Sequence, residues 1–218
     1  MFESVNVIGR GRVGSAVAAR LVERGVELRE DAELVLLCVP DAAIAGTACG
    51  LSLGPWVAHV SGATPLSALE PHTRRFGMHP LQTFTPSRGP EQLDGAWAAV
   101  SGETDEARAH GRGLALALGL HPFDLDDDAR SLYHAGAAVA SNYLVTLHQA
   151  ASRLLEAAGA PPAALVPLMT RTIENGFDLT GPIARGDWDT IGAHVRAIHD
   201  EAPELEPMYL ALAEVTKA

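Results

Sequence analysis

The stretch VNVIGRGRVG, Val5 to Gly14, decides how this chain is read. Val5 to Ile8 is a short β-type run, and Gly9, Gly11 and Gly14 follow it in GxGxxG spacing. SAVAARLVERG then has a helical pattern, with Val17, Ala18 and Leu21 on one face and Gly25 as its stop. In a strand–loop–helix unit of this kind the first glycine permits the tight turn. The second lets a pyrophosphate approach the backbone, and the third lets helix and strand pack closely. The anion rests on the free N–H groups at the helix start. A blander reading is that the glycines only preserve the turn. Arg10 and Arg12 favour the functional one, because two cations beside a phosphate cradle otherwise repel each other.

Beyond Gly25 the chain looks too short. A full mononucleotide half runs strand, helix, strand, helix, strand, and its second strand ends in a residue that reads the ribose about 20 residues past the loop. That position falls in Glu27-Leu28-Arg29-Glu30. Arg29 there could meet a 2′-phosphate and Glu27 or Glu30 a ribose hydroxyl; solvated surface roles serve all three equally well. Only Arg29 to Ala32 separate a second strand at Val26 to Leu28 from the apolar run ELVLLCV, Glu33 to Val39. Four residues cannot hold the usual helix and third strand, since a parallel crossover needs about a dozen or more. One helix–strand unit is missing.

Further strand candidates are Trp56 to Val60, Arg74 to Met78, Ala96 to Val100 and His121 to Leu125, with a helix over TDEARAHGRGLALALG between the last two. Strands alternating with helices predict a mostly parallel α/β sheet. The pattern changes after the acidic run DLDDD, Asp124 to Asp128, whose carboxylates suit a helix start. One long helical stretch covers Arg130 to Ala158, and helical segments follow at Ala163–Asn175, Asp189–Glu201 and Glu206–Lys217. The expected architecture is α/β: a Rossmann-like parallel sheet with a shortened second half-unit over 1–127, then an all-α domain over 128–218.

Composition narrows the function classes. The 218 residues are 47% hydrophobic, ample for a packed core, and the formal net charge of −11 argues against nonspecific nucleic-acid binding. No apolar run is long enough to span a bilayer, and the N-terminus lacks a basic segment followed by an apolar one. Two cysteines, Cys38 and Cys49, make no disulfide framework, and Cys38 is expected to be a buried free thiol. These features predict a cytoplasmic protein. The nine histidines are scattered without metal-type spacing, and no Gly-x-Ser-x-Gly elbow is present.

Several motifs carry a resemblance. VPD (Val39, Pro40, Asp41), HVSGA (His59 to Ala63), FGMHPLQTF (Phe76 to Phe84), YHAGAAVASNYLVTL (Tyr133 to Leu147) and LTGPIARGD (Leu179 to Asp187) resemble the Rossmann-like proteins whose C-terminal helical domain carries an unknown-function label. That family is similar to the wider group of 6-phosphogluconate dehydrogenase, pyrroline-5-carboxylate reductase and ketopantoate reductase. The resemblance implies an NAD(P)-dependent oxidoreductase whose 6-phosphogluconate-dehydrogenase-like helical domain dimerises and closes the site. It also implies a cofactor, NADP ahead of NAD, held by Gly9, Arg10, Gly11, Arg12, Val13, Gly14, Arg29, Val39, Pro40, Asp41 and Ser61. The expected partners are a small, carboxylate-bearing carbonyl or imine substrate and a second copy of the chain. Several dehydrogenases of the wider group place a Lys one turn before an Asn on the long helix; here Asn142 is present and the earlier position is Ala138.

A carbonyl or imine reduction also needs an acid. The candidate catalytic residues are His134, His79 and Asn142, with Ser141, Thr180, Arg185 and Asp187 for substrate. On an unbroken helix His134 and Ser141 lie nearly on one face about 10 Å apart, and Asn142 lies roughly 80° round and about 12 Å along. Each has a structural alternative: a helix-start histidine, a mid-helix amide, a loop cap for His79, and an Arg185–Asp187 pair bracing its turn. His59, inside WVAHV, reads as a core histidine. The alternative function is a degenerate family member that binds a ligand or partner without redox catalysis.

Overall fold

A computed structural model describes residues 2–217. The chain forms two compact units, Met1–Ala138 and Val139–Ala218. The division falls within the helical stretch that begins at Arg130, rather than at its acidic start.

The first unit is built on one seven-stranded sheet, β1 (Ser4–Ile8), β2 (Glu27–Leu28), β3 (Leu34–Leu37), β4 (Trp56–His59), β5 (Arg75–Leu81), β6 (Trp97–Ser101) and β7 (His121–Asp124). The spatial order is β2-β1-β3-β4-β5-β6-β7, and every neighbouring pair is parallel except β5–β6. The glycine loop leads into α1 (Arg12–Glu23), and Pro40 opens α2 (Asp41–Cys49), a helix the sequence reading passed over. On β3 all four residues are buried, because α1 and α2 cover opposite faces. Helix α3 (Asp105–Ala117) starts at Thr104, whose hydroxyl accepts the Ala107 N–H, and helix α4 (Arg130–Ala138) ends the unit.

The missing unit is real, and the chain closes the gap simply. Strand β2 pairs only with the start of β1, Ser4 opposite Glu27 and Val5 opposite Leu28. Strand β3 begins at that same level, with Leu34 opposite Val5. The link from Arg29 to Glu33 therefore need not carry the chain back along a strand, which is what a crossover helix does. Hydrogen bonds from Asn6 Nδ2 to the Glu30 carbonyl and from the Glu33 N–H to Ser4 Oγ fasten it beside β1.

Strand β5 is longer than its apolar run predicts and takes in His79, which the sequence placed in a loop. Past the His59–Gly77 pair it has β6 alone as a partner, from Gly77–Ser101 to Leu81–Trp97. Pro80 is tolerated there because one side of the strand no longer needs an N–H.

The second unit holds a π-helical turn over Val139–Tyr143, then α5 (Leu144–Ala157), α6 (Leu165–Glu174), α7 (Trp188–Glu201) and α8 (Glu206–Thr216). Helices α5 and α6 pack together, as do α7 and α8, where His194 Nδ1 meets the Tyr209 hydroxyl at 2.8 Å. The π turn corrects the single regular helix expected from Arg130 to Ala158. A helical phase reckoned on 3.6 residues per turn does not carry across it.

Candidate functional site

Two of the three loop glycines are explained by packing inside the protein. A Cβ on Gly9 would collide with the Cys38 carbonyl at the end of β3, and Gly9 has φ +106°. A Cβ on Gly14 would overlap the Gly9 carbonyl and lie 2.9 Å from Cys38 Cβ. Gly11 differs: its φ is −72°, and a Cβ there would meet nothing within 4 Å. It is the N-cap of α1, and no side chain satisfies the helix start. Beside it runs a groove of about 410 Å3 lined by Arg10, Gly11, Arg12, Ser15, Thr85 and Arg88. Arg12 Nη1 reaches the Phe84 carbonyl at 3.5 Å, and Arg88 lies 3.7 Å from Glu91. Arg88, 74 positions beyond Gly14, is invisible to motif reading. Val13 packs on the core below the loop, and burial pushes the neighbouring Cys38 thiol up to about 12.

The edge of the sheet beside β1 is short. Arg29 follows a strand that stops three residues before the level of Ile8, roughly 10 Å short of the loop. Its guanidinium stands 3.7 Å from Glu27 and 3.8 Å from Asp31. At the ends of β3 and β4, Val39 packs on the second core, Pro40 caps α2 and Asp41 sits in its first turn. The Ser61 hydroxyl is held within its own turn, donating to Thr64 Oγ1 at 2.8 Å and accepting the Ala63 and Thr64 N–H groups.

The chemistry-bearing cluster lies just past the end of β4, beside His79 within β5. His79 Nδ1 and the Tyr133 hydroxyl are 2.7 Å apart, and the rings of His79 and His134 are 6.1 Å apart. Gly62 makes room for both. A Cβ there would lie 2.7 Å from His134 Cδ2 and 3.0 Å from His79 Nε2. Burial, with help from His134 and Arg130, lowers His79 to about 4, against an opposing pull from Asp41. Burial raises Tyr133 to about 12. Both groups are therefore neutral near pH 7. The contact has two forms: Tyr133 donates to Nδ1, which puts the His79 proton on Nε2, or Nδ1–H donates to the Tyr133 oxygen. A phenol is the better donor and an imidazole nitrogen the better acceptor, which favours the first. Neutral imidazole N–H groups polarise carbonyls in known enzymes.

Below this pair lies His59, fully buried, with Nδ1 accepting the Ser61 N–H at 3.2 Å and Nε2 unpartnered. Burial first, then Arg130, lowers it to about 3. It is the core histidine the sequence suggested, only half satisfied. Asp127 corrects the reading of the acidic run as helix caps. Its carboxylate accepts the Leu66 N–H at 3.0 Å and Arg130 Nε at 2.6 Å.

In the second unit, Ser141 and Asn142 fall in the π turn, a distortion common at functional sites. Arg185 Nη1 donates to the Thr180 carbonyl at 2.5 Å, while Asp187 caps α7 through the Thr190 N–H and hydroxyl. Arg185 and Asp187 thus hydrogen-bond to different partners in bracing their loop.

The model of a domain of unknown function, DUF2520, matches residues 96–216. The chain belongs to the DUF2520 family. No curated protein matches the sequence. Among solved structures, a Bacteroides fragilis protein provisionally assigned as an NADP oxidoreductase is 21% identical over 98% of this chain and 97% of its own, with a TM-score of 0.79. A Thermotoga maritima protein is 20% identical over 97% and 96%, with a TM-score of 0.77. The reductive aminase of Aspergillus terreus, crystallised with NADPH and ethyl-5-oxohexanoate, is 17% identical over 97% and 92%, with a TM-score of 0.69. At these identities the likeness is one of fold: this DUF2520 chain shares a parallel-dominated α/β sheet and a C-terminal helical region with them.

Proposed function

We propose that the chain is an NAD(P)-dependent oxidoreductase acting on a small carbonyl or imine compound. The observation that carries this reading is the contrast within the glycine loop. Packing requires Gly9 and Gly14, whereas Gly11 opens onto an uncapped helix start beside two arginines. These residues fit a dinucleotide pyrophosphate, with Gly11 admitting it, the α1 N–H groups accepting its charge and Arg10 and Arg12 flanking it.

When bound, the nicotinamide supplies or accepts the hydride. The chain's own residues do the rest. His79 Nε2–H donates a hydrogen bond to the reacting oxygen or nitrogen, and Tyr133 fixes the tautomer that makes this possible. His134, more exposed and on the same helix, exchanges the proton. In the helical unit, Asn142 and Ser141 on the π turn are proposed by themselves as substrate-binding residues. Thr180, Arg185 and Asp187 are proposed as substrate-binding residues of the helical unit, and Arg185 keeps guanidinium N–H groups for a carboxylate while Nη1 holds the Thr180 carbonyl.

A second reading rests on the short β2. With the adenosine side of the sheet lowered, the chain can bind a ligand or partner without redox turnover. Titration with NADPH and NADH, followed by assays of NAD(P)H oxidation in the presence of a panel of keto acids, aldehydes and cyclic imines, separates the two. Saturable binding with turnover supports the enzyme; binding without turnover supports the second reading. The comparison of NADPH with NADH also decides whether Arg29 reads a 2′-phosphate, in which case Arg29→Ala weakens NADPH alone.

Self-association through the helical unit belongs to the same proposal. Val139, Tyr143, Val166, Leu168 and Ile173 are each more than half exposed, and among the described residues the unit buries few large apolar side chains. A second copy is the economical cover for such a surface.

A further inference from the structure

We propose that Arg130 is the positioning residue of this site: it fixes α4 against the turn after β4 so that Tyr133 meets His79 in one orientation. This inference rests on the oxidoreductase reading for its meaning in turnover, but its geometry stands apart from any cofactor.

Arg130 is 1% exposed, an uncommon state for an arginine. Its Nε is 2.6 Å from Asp127 Oδ1, and its Nη1 donates to the Ser61 carbonyl at 3.0 Å. Asp127 in turn accepts the Leu66 N–H, so carboxylate and guanidinium together clamp both ends of the segment from Ser61 to Leu66. Gly62 lies inside that segment and sets the space for His79 and His134. One helical turn beyond Arg130 stand Tyr133 and His134, as i+3 and i+4 neighbours on the same face. The clamp therefore fixes both partners of the His79 contact at once.

The sheet is shaped for this side chain. A Cβ on Gly77 would fall on Arg130 Nη2 and lie 3.2 Å from His59 Cε1. A glycine in mid-strand where another group lies close has a reason to be there. Nη2 itself is buried and has no hydrogen-bond partner among the described residues. Around His79 the charged and titratable groups are Arg130, Tyr133 and His134 from α4, His59 from β4, and Asp41 from the start of α2. Asp127, the remaining acid, is occupied by Arg130. The Arg130 cation acts with burial to keep both imidazoles neutral.

The test is imidazole nitrogen NMR on the full chain without cofactor, with His79 assigned by the signal lost in His79→Asn. The wild type is expected to show a single tautomer protonated at Nε2, titrating well below an ordinary histidine. Arg130→Lys keeps the charge and loses the fork, so tautomer averaging is expected to match that of Tyr133→Phe. Arg130→Met also removes the charge, and the His79 midpoint is expected to rise while staying below that of an ordinary histidine, because burial and His134 remain. If Arg130→Met does not fold, Asp127→Asn opens the same clamp and is expected to give the same averaging. Folded variants that lose stability while His79 keeps its tautomer and midpoint would show a purely structural arginine and overturn the proposal. Failure of the wild type to bind cofactor would instead count against the oxidoreductase reading and leave the NMR result standing.

Discussion

Gly11 and Gly14 belong to one loop but carry different burdens, and substitution separates them. Gly11→Ala places a methyl in open space at an ordinary φ, so folding stability should change by less than about 0.5 kcal/mol. The same methyl stands where a pyrophosphate approaches, and cofactor affinity should fall about tenfold or more. Gly14→Ala presses on the Gly9 carbonyl and should cost about 1–3 kcal/mol in urea unfolding. If Gly11→Ala is as destabilising as Gly14→Ala, the loop is only a turn. Gly62→Ala is the matching probe of the His79 cluster. Its Cβ forces His134 and His79 apart, and a displacement near 1 Å costs on the order of 100-fold in turnover. Retained turnover in a folded Gly62→Ala protein would remove His79 and His134 from the chemistry. At this scale the sequence was partly legible. The glycines, His79 and His134 stand in recognisable motifs, and Asp127 and Arg130 are a local i,i+3 pair, but what joins that pair to Ser61, Leu66 and Gly77 is contact between distant segments.

At the scale of elements, the short β2 and the open helical face make separate demands. Strand β2 reaches only Val5, so grafting residues there should alter the NADPH-to-NADH preference more than pyrophosphate binding. The helices from Leu144 onward should associate, giving a dimer by light scattering at micromolar concentration. Leu168→Lys, on a side chain 63% exposed, should shift it toward monomer without unfolding the sheet unit. A wild-type monomer would contradict the self-association proposal. Most of the strands were legible because fully buried parallel strands read as continuous apolar runs, as in ELVLLCV. The antiparallel β5–β6 pair and the reach of β5 through His79 were not, since strand direction and pairing depend on distant partners rather than local pattern. Helix α2 was missed because Ala, Gly and Thr give it little apolar periodicity. The π turn escaped because a regular helix is the default for an unbroken helical composition.

For the molecule as a whole, the buried histidines couple folding to acidity. His59 and His79 are lowered to about 3 and about 4, chiefly by burial, so the unfolded chain binds protons that the folded chain refuses. Their contribution is fully present above about pH 6.5 and is lost as pH falls toward the folded values. Urea unfolding should report a loss on the order of 2–4 kcal/mol between pH 7 and pH 5. His59→Gln and His79→Gln should flatten that slope. A stability unchanged across this range would mean that the imidazoles are not buried as described.

The central claim is that a nicotinamide dinucleotide lies over Gly11 at the carboxyl end of the sheet. Calorimetric titration of the wild type and of Gly11→Ala with NADPH and NADH tests it most directly. The account predicts saturable binding of at least one cofactor below millimolar concentration, and a loss of about tenfold or more in Gly11→Ala with no change in fold. No saturable binding of either cofactor at millimolar concentration, or equal binding by the two proteins, would contradict it.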